Sequence, residues 1–343
     1  MGDEAILETI VGELKELVPA ESIVVLSANP DETKSIYGVN SINRFDFVSL
    51  FHLLRSARLF ISGGGGLFQD TKSFGSPAFY GLQIFLAKSL NVPVYVFAQG
   101  IGPLKGILAR TITKSSLSLA NFATVRDHYS DKLLSDWYIH HELTADPVWC
   151  LKPNKIENPL PSDKPLVGLS LRPSPQLTDE HILLLADILD QTLTAETTVV
   201  LLPLQPSQDL PVLQKFSAHW QGKNRSSILF DASQCQLPSQ WLSLIGSLNF
   251  LISMRLHALI MGIAAGRPVL GINYDPKVAQ LLEDLELPML NLTKDDAKSQ
   301  WPQLARNAIG RGKELSMQAA KESIALKKVA CQNFSLLAKI LSS

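Results

Sequence analysis

Positive side chains stand at several points where the chain leaves an apolar run. The densest set lies in Ser253–Val278, S-M-R-L-H-A-L-I-M-G-I-A-A-G-R-P-V-L-G-I-N-Y-D-P-K-V. Asn249–Ile252 reads as a buried strand, Ala258–Gly266 as an apolar helix and Val269–Ile272 as a second buried strand. A strand–helix–strand unit of this length is a parallel crossover. It puts Arg255, His257 and Lys277 at the carboxyl ends of two strands, the edge at which open α/β sheets bind ligands. Three potential cations beside a helix N-terminus suit a small, strongly anionic ligand. The alternative is a solvated rim over a buried helix. Arg126 follows the strand Phe122–Val125, and Arg172 the strand Leu166–Leu171. The strand Arg58–Ser62 runs into Gly63-Gly64-Gly65-Gly66, where tight backbone can offer N–H groups, with Gly64 and Gly65 central, to a ligand or simply pack against the sheet. Neither a Walker A loop nor G-x-G-x-x-G is present there.

The chain around these residues has 343 residues, 46% of them apolar and 18% charged, which predicts a soluble globular protein of two domains. A net charge of −1 without a long basic stretch argues against nucleic acid as a partner. No apolar run reaches the ~18–20 residues of a membrane span. The N-terminus lacks a signal-peptide core and the Ser or Thr of a myristoylation signal. Three widely spaced cysteines, Cys150, Cys235 and Cys331, give neither a disulfide framework nor a zinc pattern and point to a reducing compartment, hence to the cytoplasm. The adjacent His140 and His141 face opposite ways on an extended backbone and read as ordinary residues.

Strand and helix patterns alternate through both halves. Residues 1–152 form one Rossmann-like domain, opening on an amphipathic helix at Asp3–Leu17 and a buried strand at Ser22–Ser27. A doubly wound domain normally opens on a strand, so the first strand is either missing or the domain starts with a helix. Residues 153–165 carry prolines at 153, 159, 161 and 165 and read as a linker. Residues 166–312 repeat the alternation, and Lys313–Leu341 has a long, loosely periodic helical pattern that would pack across the domains, with room for a break. The expected fold is α/β, with two Rossmann-like domains facing each other across a cleft and a long C-terminal helix.

The chain also resembles the polysaccharide pyruvyl transferase family over essentially its full length. The matching segments are G-D-E-A-I-L (Gly2–Leu7), S-G-G-G-G-L-F-Q-D (Ser62–Asp70), G-I-G-P-L (Gly100–Leu104), V-R-D (Val125–Asp127), A-D-P (Ala145–Pro147), S-L-R-P (Ser170–Pro173), M-R-L-H-A-L (Met254–Leu259) and Y-D-P-K-V (Tyr274–Val278). The resemblance implies a glycosyltransferase-B-like fold and transfer of pyruvate from phosphoenolpyruvate onto two hydroxyls of a cell-wall or surface sugar, forming a cyclic ketal. It points to Arg126, His257, Lys277 and Asp3 as donor-binding or catalytic. Family members normally carry a strand and a Gly/Asn-rich turn before G-D-E-A, a departure that points to a start codon assigned late or a trimmed chain.

For that chemistry His257 is the candidate acid toward C3 of the enolpyruvyl group, and Asp3 the candidate base for the attacking hydroxyl. Arg126, Lys277, Arg255, Arg172, Gly64 and Gly65 are the candidate substrate-binding residues. The reaction requires no metal or organic cofactor. Its partners are phosphoenolpyruvate and a polysaccharide or lipid-linked glycan, the latter a route to peripheral membrane association. Other readings stay open: His257 as a neutral hydrogen-bonding residue, Asp3 as a helix N-cap, and Arg172 and Arg255 as structural ion-pair partners. For the whole chain the alternatives are a nucleotide-sugar glycosyltransferase or an inactive glycan- or nucleotide-binding relative.

Overall fold

A computed structural model describes residues 2–70, 75–156, 160, 163–292 and 297–342. The chain forms two compact units. One is residues 152–325; the other joins Gly2–Leu151 to the segment from Leu326 onward. Pro159 and Pro161 of the expected linker lie outside the described residues; the described part of 153–165 has neither helix nor strand.

The N-terminal unit runs α1 (Gly2–Leu17), β1 (Val24–Ser27), α2 (Pro30–Tyr37), β2 (Asn40–Asn43), α3 (Phe47–Leu54), β3 (Phe60–Ser62), α4 (Ser76–Ser89), β4 (Val94–Gln99), α5 (Ile107–Leu117), β5 (Phe122–Val125), α6 (His128–Asp136) and β6 (Glu142–Leu143). All strand pairs are parallel, in a two-stranded sheet β1-β2 and a four-stranded sheet β3-β4-β5-β6. Helix α1 buries Ile6, Ile10, Val11 and Leu14, and its acidic first turn and Lys15 near its end suit the helix dipole. Strand β4 is buried at every position, which explains its unbroken apolar run. The expected buried strand over Ser22–Ser27 is shorter and less buried than its apolar run suggests, Ser22 belonging to a 3₁₀ turn. Strand β1 starts at Val24, which is exposed, and its remaining residues are only half-buried, because β2 is its sole partner in the sheet. Strands β2 and β6 carry no strand signal in the sequence, because both are short and lack an apolar run.

The C-terminal unit runs β7 (Leu166–Ser170), α7 (Asp179–Thr192), β8 (Thr198–Leu201), α8 (Pro206–Gln221), β9 (Ser227–Leu229), α9 (Pro238–Gly246), β10 (Phe250–Ser253), α10 (Leu256–Ala264), β11 (Val269–Asn273), α11 (Pro276–Asp284), β12 (Met289–Asn291) and α12 (Trp301–Gly310). Its parallel six-stranded sheet has the order β12-β11-β10-β7-β8-β9. The chain winds outward from β7 through β8 to β9, then returns to β10 beside β7 and winds outward the other way. The switch therefore falls between β7 and β10, whose terminal residues Ser170 and Ser253 pair directly. Strands β7, β8, β10 and β11 are buried throughout, and so are Leu259, Met261 and Ile263 of α10. Each such side chain contributes about 1.5–3 kcal/mol of burial, so this apolar core fixes the carboxyl edge of the sheet.

Helix α13 (Gly312–Ser342) is one unbroken helix, without the break its loose periodicity allowed. Early on, Ser316 Oγ donates to Gly266 O at 2.7 Å and Gln318 Nε2 to Leu285 O at 2.7 Å, within the C-terminal unit. Further along, Asn333 and Phe334 belong to the N-terminal unit. Thr144 Oγ1 donates to Asn333 Oδ1 at 3.0 Å, Tyr95 Oη donates to Asn333 O at 3.2 Å, and Phe334 packs on Phe97. Among the described residues no helix is long and apolar enough to cross a membrane.

Candidate functional site

In the C-terminal unit the switch point falls at the carboxyl ends of β7 and β10, the edge at which sheets of this kind take ligands. The residues that leave β7, β10 and β11 line this edge. After β10, Ser253 Oγ accepts from Arg255 N–H at 2.9 Å and closes the turn into α10. Among the described residues no side chain caps α10, while α6 and α11 are capped by Asp127 and Asp275. His257, half-buried, is the second residue of α10, so its ring belongs to the positive end of that helix dipole.

Arg255 is engaged otherwise. Its Nε donates to Asp209 Oδ2 at 3.1 Å, its Nη2 to Asp209 Oδ1, and its Nη1 to Gln205 Oε1 at 3.3 Å. Asp209 is wholly buried and also accepts from Gln205 N–H at 2.9 Å. A buried carboxylate needs such a partner. The arrangement ties the loop before α10 to the start of α8.

Arg172 follows β7. Its Nη1 donates to Tyr274 Oη at 2.9 Å, and its guanidinium lies 5.1 Å from the Tyr274 ring centroid. Burial, followed by Asp275 among the raising effects, pushes the Tyr274 phenol above its ordinary range, so it stays protonated at neutral pH and keeps an O–H to donate. Lys277 lies in the first turn of α11, its N–H bonded to Asp275 Oδ1 at 2.9 Å. Ser170 Oγ and Asn273 Oδ1, at the ends of β7 and β11, are buried polar atoms without a hydrogen-bond partner among the described residues, and Arg172 Nε is a third. Such atoms normally find one, and a polar ligand at this edge could supply it.

In the N-terminal unit the glycine turn after β3 is bound to the end of β4. Gly100 N–H donates to Gly65 O at 2.7 Å, and Gln99 Nε2 to the same oxygen at 2.8 Å. Gln99 reaches it because β4 is irregular between Val96 and Gln99, where Ala98 has a φ of 43°. Gly65 has a φ of 109°, and a Cβ there would stand 3.2 Å from Asp3 Oδ1. Asp3 therefore lies over the glycine turn. It sits inside the first turn of α1, not at its cap.

Arg126, after β5, is ion-paired through Nη1 with Asp146, and both side chains are buried. A Cβ on Gly100 would come within 2.8 Å of Arg126 Nε, so glycine is what lets this guanidinium lie over the turn. His141 bonds Asp131 at 3.0 Å, whereas its neighbour His140 is exposed. No group of three or more His, Cys, Asp or Glu among the described residues is placed to hold a metal ion.

Within the C-terminal unit the structure gathers Arg172, Arg255, His257 and Lys277 at one sheet edge. Within the N-terminal unit it gathers Asp3, Gly64, Gly65 and Arg126 around the exits of β3, β4 and β5. Sequence reasoning missed Asp209, Asp146 and Tyr274 as partners. Asp146 and Tyr274 stand in the A-D-P and Y-D-P-K-V segments and could have been found there. Asp209, 46 residues before Arg255, left no local signal.

Comparison with solved structures places the fold. A Listeria monocytogenes protein described as a UDP-N-acetylglucosamine 2-epimerase superposes with a TM-score of 0.66 at 14% identity, covering 100% of this chain and 94% of its own. Anabaena HepE in complex with UDP gives 0.61 at 12%, covering 100% and 96%. A glycosyltransferase from Rickettsia africae gives 0.57 at 14%, covering 99% and 92%. At these identities the likeness shows the fold alone, which is glycosyltransferase-B-like. A search of curated protein sequences returns no match. The sequence pattern of the polysaccharide pyruvyl transferases matches residues 1–276, and the chain belongs to that family.

Proposed function

We propose that this chain transfers pyruvate from phosphoenolpyruvate to two hydroxyls of a sugar in a cell-wall or surface glycan, forming a cyclic ketal and releasing phosphate. The observation that carries the reading is the carboxyl edge of β7, β10 and β11, where Arg172 bonds Tyr274 and the starts of α10, with His257, and α11, with Lys277, stand beside the switch point. A phosphate and a carboxylate on three carbons need such a concentration of donors, each charge-assisted bond contributing about 1.5–3 kcal/mol.

His257 protonates C3 of the enolpyruvyl group and so makes C2 electrophilic. A sugar hydroxyl attacks C2, phosphate leaves, and the second hydroxyl closes the ring. On the N-terminal unit, Asp3 beside the glycine turn is the carboxylate offered to a hydroxyl proton, and Arg126 is held by Asp146 as a positioning residue. The acceptor is a polysaccharide or lipid-linked glycan, the latter bringing the protein to a membrane surface.

The test is phosphate release from phosphoenolpyruvate with a panel of cell-wall glycan fragments. His257→Ala should lower kcat by about 10²–10⁴-fold, and near wild-type turnover would remove the acid assignment. The likeness in fold to HepE in complex with UDP favours one second reading, a nucleotide-sugar glycosyltransferase. Phosphoenolpyruvate should raise the melting temperature under the first reading, and a UDP-sugar under the second.

A further inference from the structure

The three cysteines are spread through the sequence, yet two of them meet. Cys150 ends the 3₁₀ turn Pro147–Cys150, and Cys331 lies on α13. Their sulfurs stand 2.9 Å apart, and Cys150 Sγ is also 3.7 Å from Lys327 O. A disulfide bond is about 2.05 Å long, so closing this one needs a movement of under about 1 Å. Cys150 is buried and Cys331 only partly so, whereas Cys235 is buried elsewhere. Both members of the pair belong to the N-terminal unit. They sit on its two separate pieces, Gly2–Leu151 and the segment from Leu326, between which the whole of residues 152–325 is inserted.

We propose that Cys150 and Cys331 are a reversible redox pair whose disulfide staples the two pieces of the discontinuous N-terminal unit. The oxidant is a hydroperoxide or a small-molecule disulfide. With a hydroperoxide, the accessible Cys331 thiolate attacks the O–O bond, becoming a sulfenic acid as the second oxygen leaves as water or alcohol. Cys150 sulfur then attacks the Cys331 sulfur. The S–S bond forms, the S–O bond breaks, and hydroxide leaves as water with the proton lost from Cys150. Two thiols are oxidised by two electrons in total and one peroxide is reduced.

The order follows from burial. Burial and the neighbouring Cys331 push the Cys150 thiol well up, with Glu13 adding to this and Lys327 opposing it, so Cys150 is the resolving sulfur. The bond closes a ring containing the entire C-terminal unit. Long rings restrict the unfolded chain most, in the chain-entropy account.

The full-length protein is treated with hydrogen peroxide, or separately with oxidised glutathione, and mapped by peptide mass spectrometry without reduction. The expected result is a Cys150–Cys331 cross-link with loss of two hydrogens and a melting temperature higher by about 5–10 °C, both reversed by dithiothreitol. Cys235→Ser should behave as wild type, while Cys150→Ser and Cys331→Ser should show neither cross-link nor shift. Sulfurs that stay free, or that end as sulfinic acids or glutathione adducts without the cross-link, would overturn the proposal. So would a cross-link without a rise in melting temperature. Wild-type mapping and melting decide the matter even where a serine variant does not fold.

Discussion

Replacing Arg255 by Met tests whether this arginine acts as a clamp. The substitution keeps the apolar stem and removes the bonds to Asp209 and Gln205. Asp209, fully buried, then keeps the Gln205 N–H. A lost neutral hydrogen bond costs about 1 kcal/mol, but stranding one partner of a buried pair costs about 3–5 kcal/mol, so the stranded charge decides. For a unit of this size that lowers the melting temperature by about 10 °C. Asp209→Asn should cost less, since the Arg255 side chain retains 14% exposure and reaches water. The double variant Arg255→Met/Asp209→Asn should be more stable than Arg255→Met alone, because no unpaired charge remains. Urea unfolding of the wild type and all three variants supplies the cycle. A cost below about 1 kcal/mol for Arg255→Met, or effects that add within about 0.5 kcal/mol, would refute the clamp. Asp209→Asn should also reduce phosphate release from phosphoenolpyruvate, because the same contact positions the turn that carries His257.

Gly100→Ala should drive a methyl group to within 2.8 Å of Arg126 Nε and displace the guanidinium from the turn. Turnover should fall at least tenfold with a change in melting temperature of only a few degrees, measured by phosphate release and a thermal melt. Arg126→Ala removes one side of the buried ion pair with Asp146, which still accepts from Val148 N–H at 3.0 Å, and should cost about 3–5 kcal/mol in urea unfolding. Asp70 accepts from the N–H groups of Gly106 at 2.6 Å and Lys105 at 2.8 Å, which hold its carboxyl below the usual range. A lowered folded pKa stabilises above the unfolded value of about 3.9, and that contribution disappears as pH falls through the folded value. The acid limb of wild-type stability should therefore flatten in Asp70→Asn, as followed by urea midpoints between about pH 3 and 6.

Periodicity and strand exits alone determined much of this protein. The apolar runs at Leu166–Ser170, Phe250–Ser253 and Val269–Asn273 read as strands because they are buried on both faces. Parallel crossovers then put Arg172, His257 and Lys277 at one edge, since handedness and strand direction leave little choice. What the sequence could not determine was pairing over distance. Strand β1 looks as apolar as a central strand, but its burial depends on neighbours that local pattern does not encode. Which arginine is clamped also depends on the tertiary structure. Arg126 finds Asp146 20 residues on, and Arg255 finds Asp209 46 residues back, because separate strands and helices deliver them to the same place. The separation of 181 residues between Cys150 and Cys331 hid a thiol pair in the same way. Local chemistry sets the elements and the edge they share, whereas the partners of each charge and thiol are chosen only when the chain folds.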